Sequence, residues 1–398
     1  MKIIVHDFGG HAFTATLSRE LARRGHEVAH CFSGSFLTPQ GSNRTLDGDP
    51  QGLTFHPIVL DQPIDKTSLR RRHQGELEHG RRMVELVRQF RPDAILSGNG
   101  PLDVQRMLLV EAHRQHSRFT FWVQDLIGQA SVRLLKRKIP VVGGVIGNHF
   151  RRLEQKLLAK SDEVVVISED FRPHLPPIAQ TRAHVIENWG VLDDLPMLSR
   201  KNAWRMEQNL PEGPIFLYSG TLGMKHNPEL LVRMAQALDD QPGAAVVVVS
   251  GGAALDFLAA RKAELGLTNL ITLPLQPFER LPELLATADI LMAILEPDAG
   301  VFSVPSKVLS YLCAGRPMLL AIPPQNLAAR TVLSAGAGLA ASPDAPAEFV
   351  EAGLLLARDA DMRERLGAAG RAYAEATFDV RQIADRFEPI LLGRAAAK

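Results

Sequence analysis

Short β-branched runs alternate with longer segments whose apolar positions recur at helical spacing, and that rhythm predicts parallel α/β sheets. The first run, residues 2–8, leads into a Gly-Gly turn and a helix expected over 14–24. Further strands are expected at 27–32, 54–60, 93–97, 119–123, 163–167 and 184–186. Between 189 and 212 the alternation lapses into Asp, Pro and Asn punctuation, which places an interdomain linker there. A second series follows, with strands expected at 215–218, 245–249, 271–274, 290–294 and 317–321. Helical patterns over 348–357, 361–375 and 380–391 finish the chain. The expectation is an α/β protein of two doubly wound, Rossmann-like units facing across a cleft: residues 1–195, residues 196–377, and a terminal helix, 378–398, packing back on the N-terminal unit. Sheets of this kind bind ligands at the carboxyl ends of their strands, so candidate chemistry is sought there.

Composition narrows the class. A chain of 398 residues with 45% apolar and 22% charged positions has ample core and no disorder signature. Its longest apolar run, 244–249, is too short to span a bilayer, and residues 1–10 lack the pattern of a secretory signal. Cys31 and Cys313 lie far apart without metal-ligand spacing and read as buried reduced thiols. A cytoplasmic protein is expected. Net charge is only +1, yet residues 1–200 hold 27 Lys and Arg against 22 Asp and Glu, while the remainder holds 18 against 22. Nucleic-acid binding gains no support from that balance.

Four segments then carry a resemblance: HDFGGHAFTATLSRELARRGHEV, YSGTLGMKHNPELL, LQPFERLPELLATADILMAIL and VPSKVLSYLCAGRPML, in this order and spacing. Together the chain resembles a family 4 retaining glycosyltransferase of the GT-B fold, in the flavour of bacterial enzymes that extend lipid-linked O-antigen or exopolysaccharide intermediates. The resemblance implies a nucleotide sugar held by the C-terminal unit and an acceptor held by the N-terminal one. It implies no cofactor beyond the donor itself and no metal.

The residues can be weighed against that chemistry. A departing nucleoside diphosphate needs its charge neutralised by cations and helix N-termini. The glycine-bearing loop Gly220, Thr221, Leu222, Gly223 lets backbone N–H groups approach phosphate, and Lys225 can reach it as a point charge. The resemblance also puts a diphosphate-binding lysine there. Pro305 and Ser306 suit a helix start, from which the free N–H groups, the Ser306 hydroxyl and Lys307 can face the same diphosphate. Many relatives carry Glu-x7-Glu in this region, with the second glutamate on the ribose; the corresponding positions are Phe302 and Ser310, so Ser310 is left as the weaker ribose contact. Gly9 and Gly10 form the first strand-to-helix turn, either as a purely structural turn or bordering the diphosphate and acceptor. Gln124 and Asp125 end the strand at 119–123; relatives place a sugar-contacting histidine at the first, and Asp125 either binds the acceptor hydroxyl or caps the next helix. Asn188 reads as fixing its loop and Ser168 as capping the helix after it. Pro277, with Gln276 and Phe278, follows a strand end where relatives receive the base through main chain, and Ser250 to Gly252 reads as a structural turn.

One stretch invites a membrane. Arg133, Lys136, Arg137, Lys138, Arg151, Arg152, Lys156 and Lys160 are opposed only by Glu154, and the apolar segment IPVVGGVIG lies between the clusters. Anionic lipid attracts about 1 kcal/mol per basic residue near its surface. The expectation is a peripheral enzyme on the cytoplasmic face of the inner membrane, acting on a polyprenyl-diphosphate-linked saccharide. The plainer reading is a solvated helix face beside a buried strand. Arg70, Arg71, Arg72, Arg81 and Arg82 fit ordinary pairing with Glu76, Glu78 and Glu85. Two rival functions remain. A sugar-nucleotide epimerase of the same fold needs acidic and histidine groups around the sugar, and the sequence displays no such set. A non-catalytic nucleotide-sugar-binding partner would explain the missing glutamate pair, but not the retained Lys225, Ser306 and Lys307.

Overall fold

The computed structural model describes residues 1–35, 41–62, 68–98, 100–138, 140–223, 226–299 and 303–394, apart from the side chains of 69, 134, 136–138, 140–142 and 299. Lys225 and Phe302 therefore lie outside the described residues. The chain forms two compact units: Met1–Asn188 with Asp379–Lys398, and Trp189–Phe378. It thus crosses between them after Asn188 and returns after Phe378, a few residues from the expected 195 and 377.

The first unit holds β1 (Lys2–Asp7), β2 (Glu27–Ser33), β3 (Leu53–Ile58), β4 (Ala94–Gly98), β5 (Arg118–Val123), β6 (Glu163–Val166) and β7 (Ala183–Val185). They form one sheet in the order β3-β2-β1-β4-β5-β6-β7, every recorded pairing parallel. β1, β4 and β5 are buried almost throughout because helices cover both faces of such a sheet. The order reverses direction between β1 and β4, and that switch opens a crevice at their carboxyl ends. The terminal helix Val380–Leu391 belongs to this unit: Phe387 is fully buried and meets Trp122 of β5 edge-on at 5.0 Å, while Glu388 accepts hydrogen bonds from Arg24 (2.9 Å) and His26 (2.8 Å).

The second unit holds β8 (Ile215–Ser219), β9 (Ala245–Ser250), β10 (Leu270–Pro274), β11 (Ile290–Ile294), β12 (Met318–Ala321) and β13 (Gly338–Ala341), ordered β10-β9-β8-β11-β12-β13 and again parallel. Its core joins Phe216, Tyr218, Val246, Val248 and Met292 to Leu230, Leu231 and Phe349. β13 is absent from the sequence expectation.

The segment at 140–147 also departs from the buried-strand reading, residue 139 lying outside the described residues. It opens a helix, Pro140–Lys160, that folds back on the helix Ile127–Lys138 as a hairpin. Glycines make the close approach possible. A methyl on Gly143 would lie 2.0 Å from the Leu135 carbonyl oxygen, and one on Gly147 2.6 Å from the Val132 Cα. Val145 and Ile146, between these glycines, point outward at 70% and 41% exposure. Arg133, Arg151, Arg152, Lys156 and Lys160 are exposed on the same hairpin. Among the described residues no helix is long and apolar enough to cross a membrane.

Glu154 ties the base of this hairpin. It is buried, accepts the Gly128 amide at 2.9 Å, and burial pushes its carboxyl up to about 7 against the pull of the Gly128 and Ile127 amides. A carboxyl whose folded value is raised stabilises fully below its unfolded value, near 4.5, and loses that contribution as pH climbs through 7. Glu154→Gln should therefore raise unfolding stability by up to about 3 kcal/mol at pH 8.5 and leave it unimproved at pH 4.5. Thermal melts of both proteins at the two pH values check it; a gain that is equal at both would refute the assignment.

Candidate functional site

In the second unit the site grows from the end of β8. Gly220 follows that strand with φ +112°, in the left-handed region that disfavours a side chain. The turn is stitched to β9: the Gly220 amide donates to the Val249 carbonyl at 3.0 Å and the Leu222 amide to Ser250 Oγ at 3.0 Å. The Gly223 amide donates to His226 Nδ1 at 2.9 Å. These three N–H groups are consequently engaged within the protein, which corrects the expectation that they face phosphate. Thr221 is exposed, and its carbonyl accepts from the Tyr218 hydroxyl at 2.9 Å.

Beside that turn stands Lys307. It opens the helix Lys307–Ala314, and Ser306, exposed at the N-cap, makes no side-chain capping bond. Lys307 is partly buried as a residue, yet its Nζ is shut away from solvent, without a hydrogen-bond partner among the described residues. That nitrogen stands 3.5 Å above the centre of the Tyr218 ring and 3.5 Å from where a Gly220 Cβ would be. Burial lowers its pKa from 10.5 to about 7. The positive end of its own helix acts in the same direction. A tenfold change in proton affinity is about 1.4 kcal/mol, so the charged form is disfavoured by about 5 kcal/mol. The ring face returns about 2 kcal/mol at most, so burial wins. Tyr311 braces the arrangement from the same helix: its hydroxyl accepts the Ser219 amide at 3.1 Å. Burial pushes both phenols, Tyr218 and Tyr311, above the ordinary tyrosine range. Ser310 lies one turn beyond Lys307, partly buried. Pro277 is exposed after β10, two strands from β8, while Gln276 accepts from the Trp204 indole at 3.2 Å.

In the first unit, Asp7 ends β1 and organises the Gly9–Gly10 turn. Its buried carboxylate takes the amides of Gly9 (3.2 Å) and His11 (2.6 Å), the Thr14 hydroxyl (2.9 Å) and His11 Nδ1 (3.0 Å). Burial alone would raise this carboxyl; the His11 charge and these hydrogen bonds outweigh it and hold it far below the usual carboxylate range. His11 is raised in return: the Asp7 pairing overcomes its desolvation, with a further contribution from Asp125. Its ring lies against Gly9, where a methyl would come within 2.3 Å of Cε1, and Gly10 adopts φ +67°. The glycines are thus needed for the turn and for seating the imidazole. This acidic and histidine grouping was not visible in sequence, although Asp7 four residues before His11, at a strand end beside Gly-Gly, was the signal available.

Gln124, after β5, is buried; its Oε1 accepts from Asn188 Nδ2 at 3.1 Å, and its Nε2 has no hydrogen-bond partner among the described residues. Asn188 therefore fixes its loop through Gln124. Asp125 is exposed, and the Gly128 and Ile127 amides of the following helix go to Glu154. Ser168 caps the turn after β6, accepting the Asp170 amide at 3.1 Å. Cys31 and Cys313 are buried and free. A polar depression lined by Arg88, Arg91, Asp93, Glu111 and His116 lies at the amino ends of β4 and β5, away from this edge.

Comparison with known proteins agrees with this arrangement. The family model described as Glycosyl transferase 4-like domain matches residues 8–189, and that described as Glycosyl transferases group 1 matches residues 200–373. The chain is 29% identical over 411 residues to WcaI of Escherichia coli (strain K12), named for colanic acid biosynthesis, covering 97% of this chain and 98% of that one. Sucrose-phosphate synthase from Thermosynechococcus elongatus superposes with a TM-score of 0.76 at 14% identity, covering 99% and 98% of the two chains. Anabaena HepE, solved with UDP and glucose, gives 0.72 at 14% identity over 99% and 100%. With both halves matched in order and both sheets of the same kind, the chain belongs to the family 4 glycosyltransferases of GT-B architecture.

Proposed function

We propose that this glycosyltransferase moves a sugar from a nucleoside diphosphate donor to a lipid-linked saccharide in surface-polysaccharide synthesis, with retention of configuration and without a metal. The carrying observation is Lys307, an amine with no hydrogen-bond partner among the described residues, beneath a glycine turn at the carboxyl end of β8. A buried amine without a carboxylate is costly unless an anion completes it. The association of WcaI with colanic acid and the capture of UDP and glucose by HepE favour the same substrate classes. In this reading Lys307 and Lys225 neutralise the departing diphosphate, with Ser306 and Thr221 exposed beside it and Ser310 toward the ribose. The bond from the anomeric carbon to the β-phosphate breaks as the acceptor oxygen bonds on the same face, and the departing phosphate takes the acceptor proton. Gln124, Asp125 and the Gly9–Gly10 turn, with His11, form the acceptor side.

Thermal shift against UDP, GDP, CDP and dTDP, with and without EDTA, tests the donor. A nucleotide at a hundred times its dissociation constant should add about 2.7 kcal/mol, a shift of a few degrees, unchanged by EDTA. No shift from any of the four would refute diphosphate-donor binding.

The hairpin supports a peripheral membrane location on the cytoplasmic face of the inner membrane, since exposed Val145 and Ile146 lie between glycines beside exposed arginines and lysines. The protein should float with anionic liposomes at low salt, and Val145→Ser with Ile146→Ser should weaken that several-fold. Equal retention by neutral and anionic liposomes would contradict the electrostatic part.

A further inference from the structure

We propose that docking of a nucleoside diphosphate on the second unit takes up a proton at Lys307, and that Tyr218 positions the amine for it. This rests on the donor site proposed above. The amine end is enclosed and without a hydrogen-bond partner, an arrangement that suits a neutral amine resting on an aromatic face better than a permanent ammonium. The described aromatic groups packed against it do nothing to hold a charge. β8 contributes the Tyr218 ring, and its own helix contributes Tyr311, both phenols neutral at any working pH. The described part of the turn from Gly220 to Gly223 has no ionisable side chain. Among the described residues none gives the Lys307 nitrogen a hydrogen bond.

A diphosphate arriving over Gly220 changes that balance. Glycine leaves open the place where a Cβ would stand 3.5 Å from the nitrogen, so nothing from this residue's own side chain lies between phosphate and amine. An anion at that distance favours the ammonium strongly. Burial brings the unliganded amine down to about 7, which places the protonation change within reach of ordinary conditions. Tyr218 is fixed by its hydroxyl bond to the Thr221 carbonyl, which links the ring under the amine to the turn that a phosphate would touch. The ring thereby sets the height of Lys307 relative to Gly220.

Calorimetric titration with UDP, GDP, CDP and dTDP at pH 8, in two buffers of different ionisation enthalpy, reads the coupling. The nucleotides carry no titrating phosphate proton there. Whichever nucleotide binds should take up about one proton per site. Lys307→Arg stays charged with or without ligand, so it should bind with uptake near zero. Lys307→Met should abolish the uptake, and persistence of uptake in it would overturn the assignment. Tyr218→Phe, which keeps the ring and loses the hydroxyl bond, should weaken affinity less than Tyr218→Leu, which should lose about tenfold; equal affinity for the two would remove Tyr218 from the proposal. Nucleotide binding without proton uptake in the unmodified protein leaves the donor site standing and overturns the inference. Failure of all four nucleotides to bind sinks both.

Discussion

Lys307→Met should lower sugar-transfer turnover by at least about a hundredfold while leaving the protein as stable as before. Removing one preorganised group that stabilises charge developing in a transition state costs about 10²–10³ in kcat. The amine has no internal partner to orphan, and the methionine stem fills the space beside Tyr218, so the folded state loses no hydrogen bond. Burial already disfavours the ammonium, so unfolding stability should hold or rise slightly. Steady-state assays at saturating donor, paired with a thermal melt, separate the two effects. Near-normal turnover in a well-folded Lys307→Met enzyme would take Lys307 out of the chemistry.

The second large effect concerns stability. Phe387→Ala should destabilise the first unit by about 3–5 kcal/mol, the usual range for deleting a fully buried phenylalanine. Its ring closes over Trp122, and the space left cannot refill from a helix whose position is also set by Arg24 and His26 on Glu388. Urea unfolding followed by tryptophan fluorescence reads the loss. A change below about 1 kcal/mol would mean that the helix contributes little to the unit.

Most of the strands were legible because parallel sheets demand continuous apolar runs, and IIV, VVVV and ILMAI offer few other readings. β13 escaped because Gly338–Ala341 is an edge strand of small residues. A methyl on Gly338 would fall 2.2 Å from the Met318 carbonyl oxygen, so close packing selects glycine over the β-branched residues that announce a strand. The helix through 140–147 escaped for the opposite reason. Its valines, isoleucine and glycines disfavour a helix locally, and only the neighbouring helix, approached through Gly143 and Gly147, accounts for it.

At the site, motif residues such as Gly220 and Lys307 could be named from sequence, but their states could not. That Gly220, Leu222 and Gly223 spend their amides on β9 and His226 depends on strand order. That Lys307 sits unpartnered on a tyrosine depends on two segments 89 positions apart meeting in space. The Asp7–His11 pair was local enough to find, yet its strength comes from burial that the sequence does not display.

Because Asp379–Lys398 belongs to the first unit, that unit is not a continuous piece of chain. On the ribosome, Trp122 emerges long before the phenylalanine that covers it, and the whole of the second unit is made in between. At 5–20 residues per second the aromatic face waits roughly 10–40 s after Asn188 for its cover. The nascent first half is therefore exposed to chaperones and proteases while the second unit is made, and a fragment ending at Asn188 never acquires its lid. A circular permutant that joins the terminal helix ahead of β1 would remove the wait.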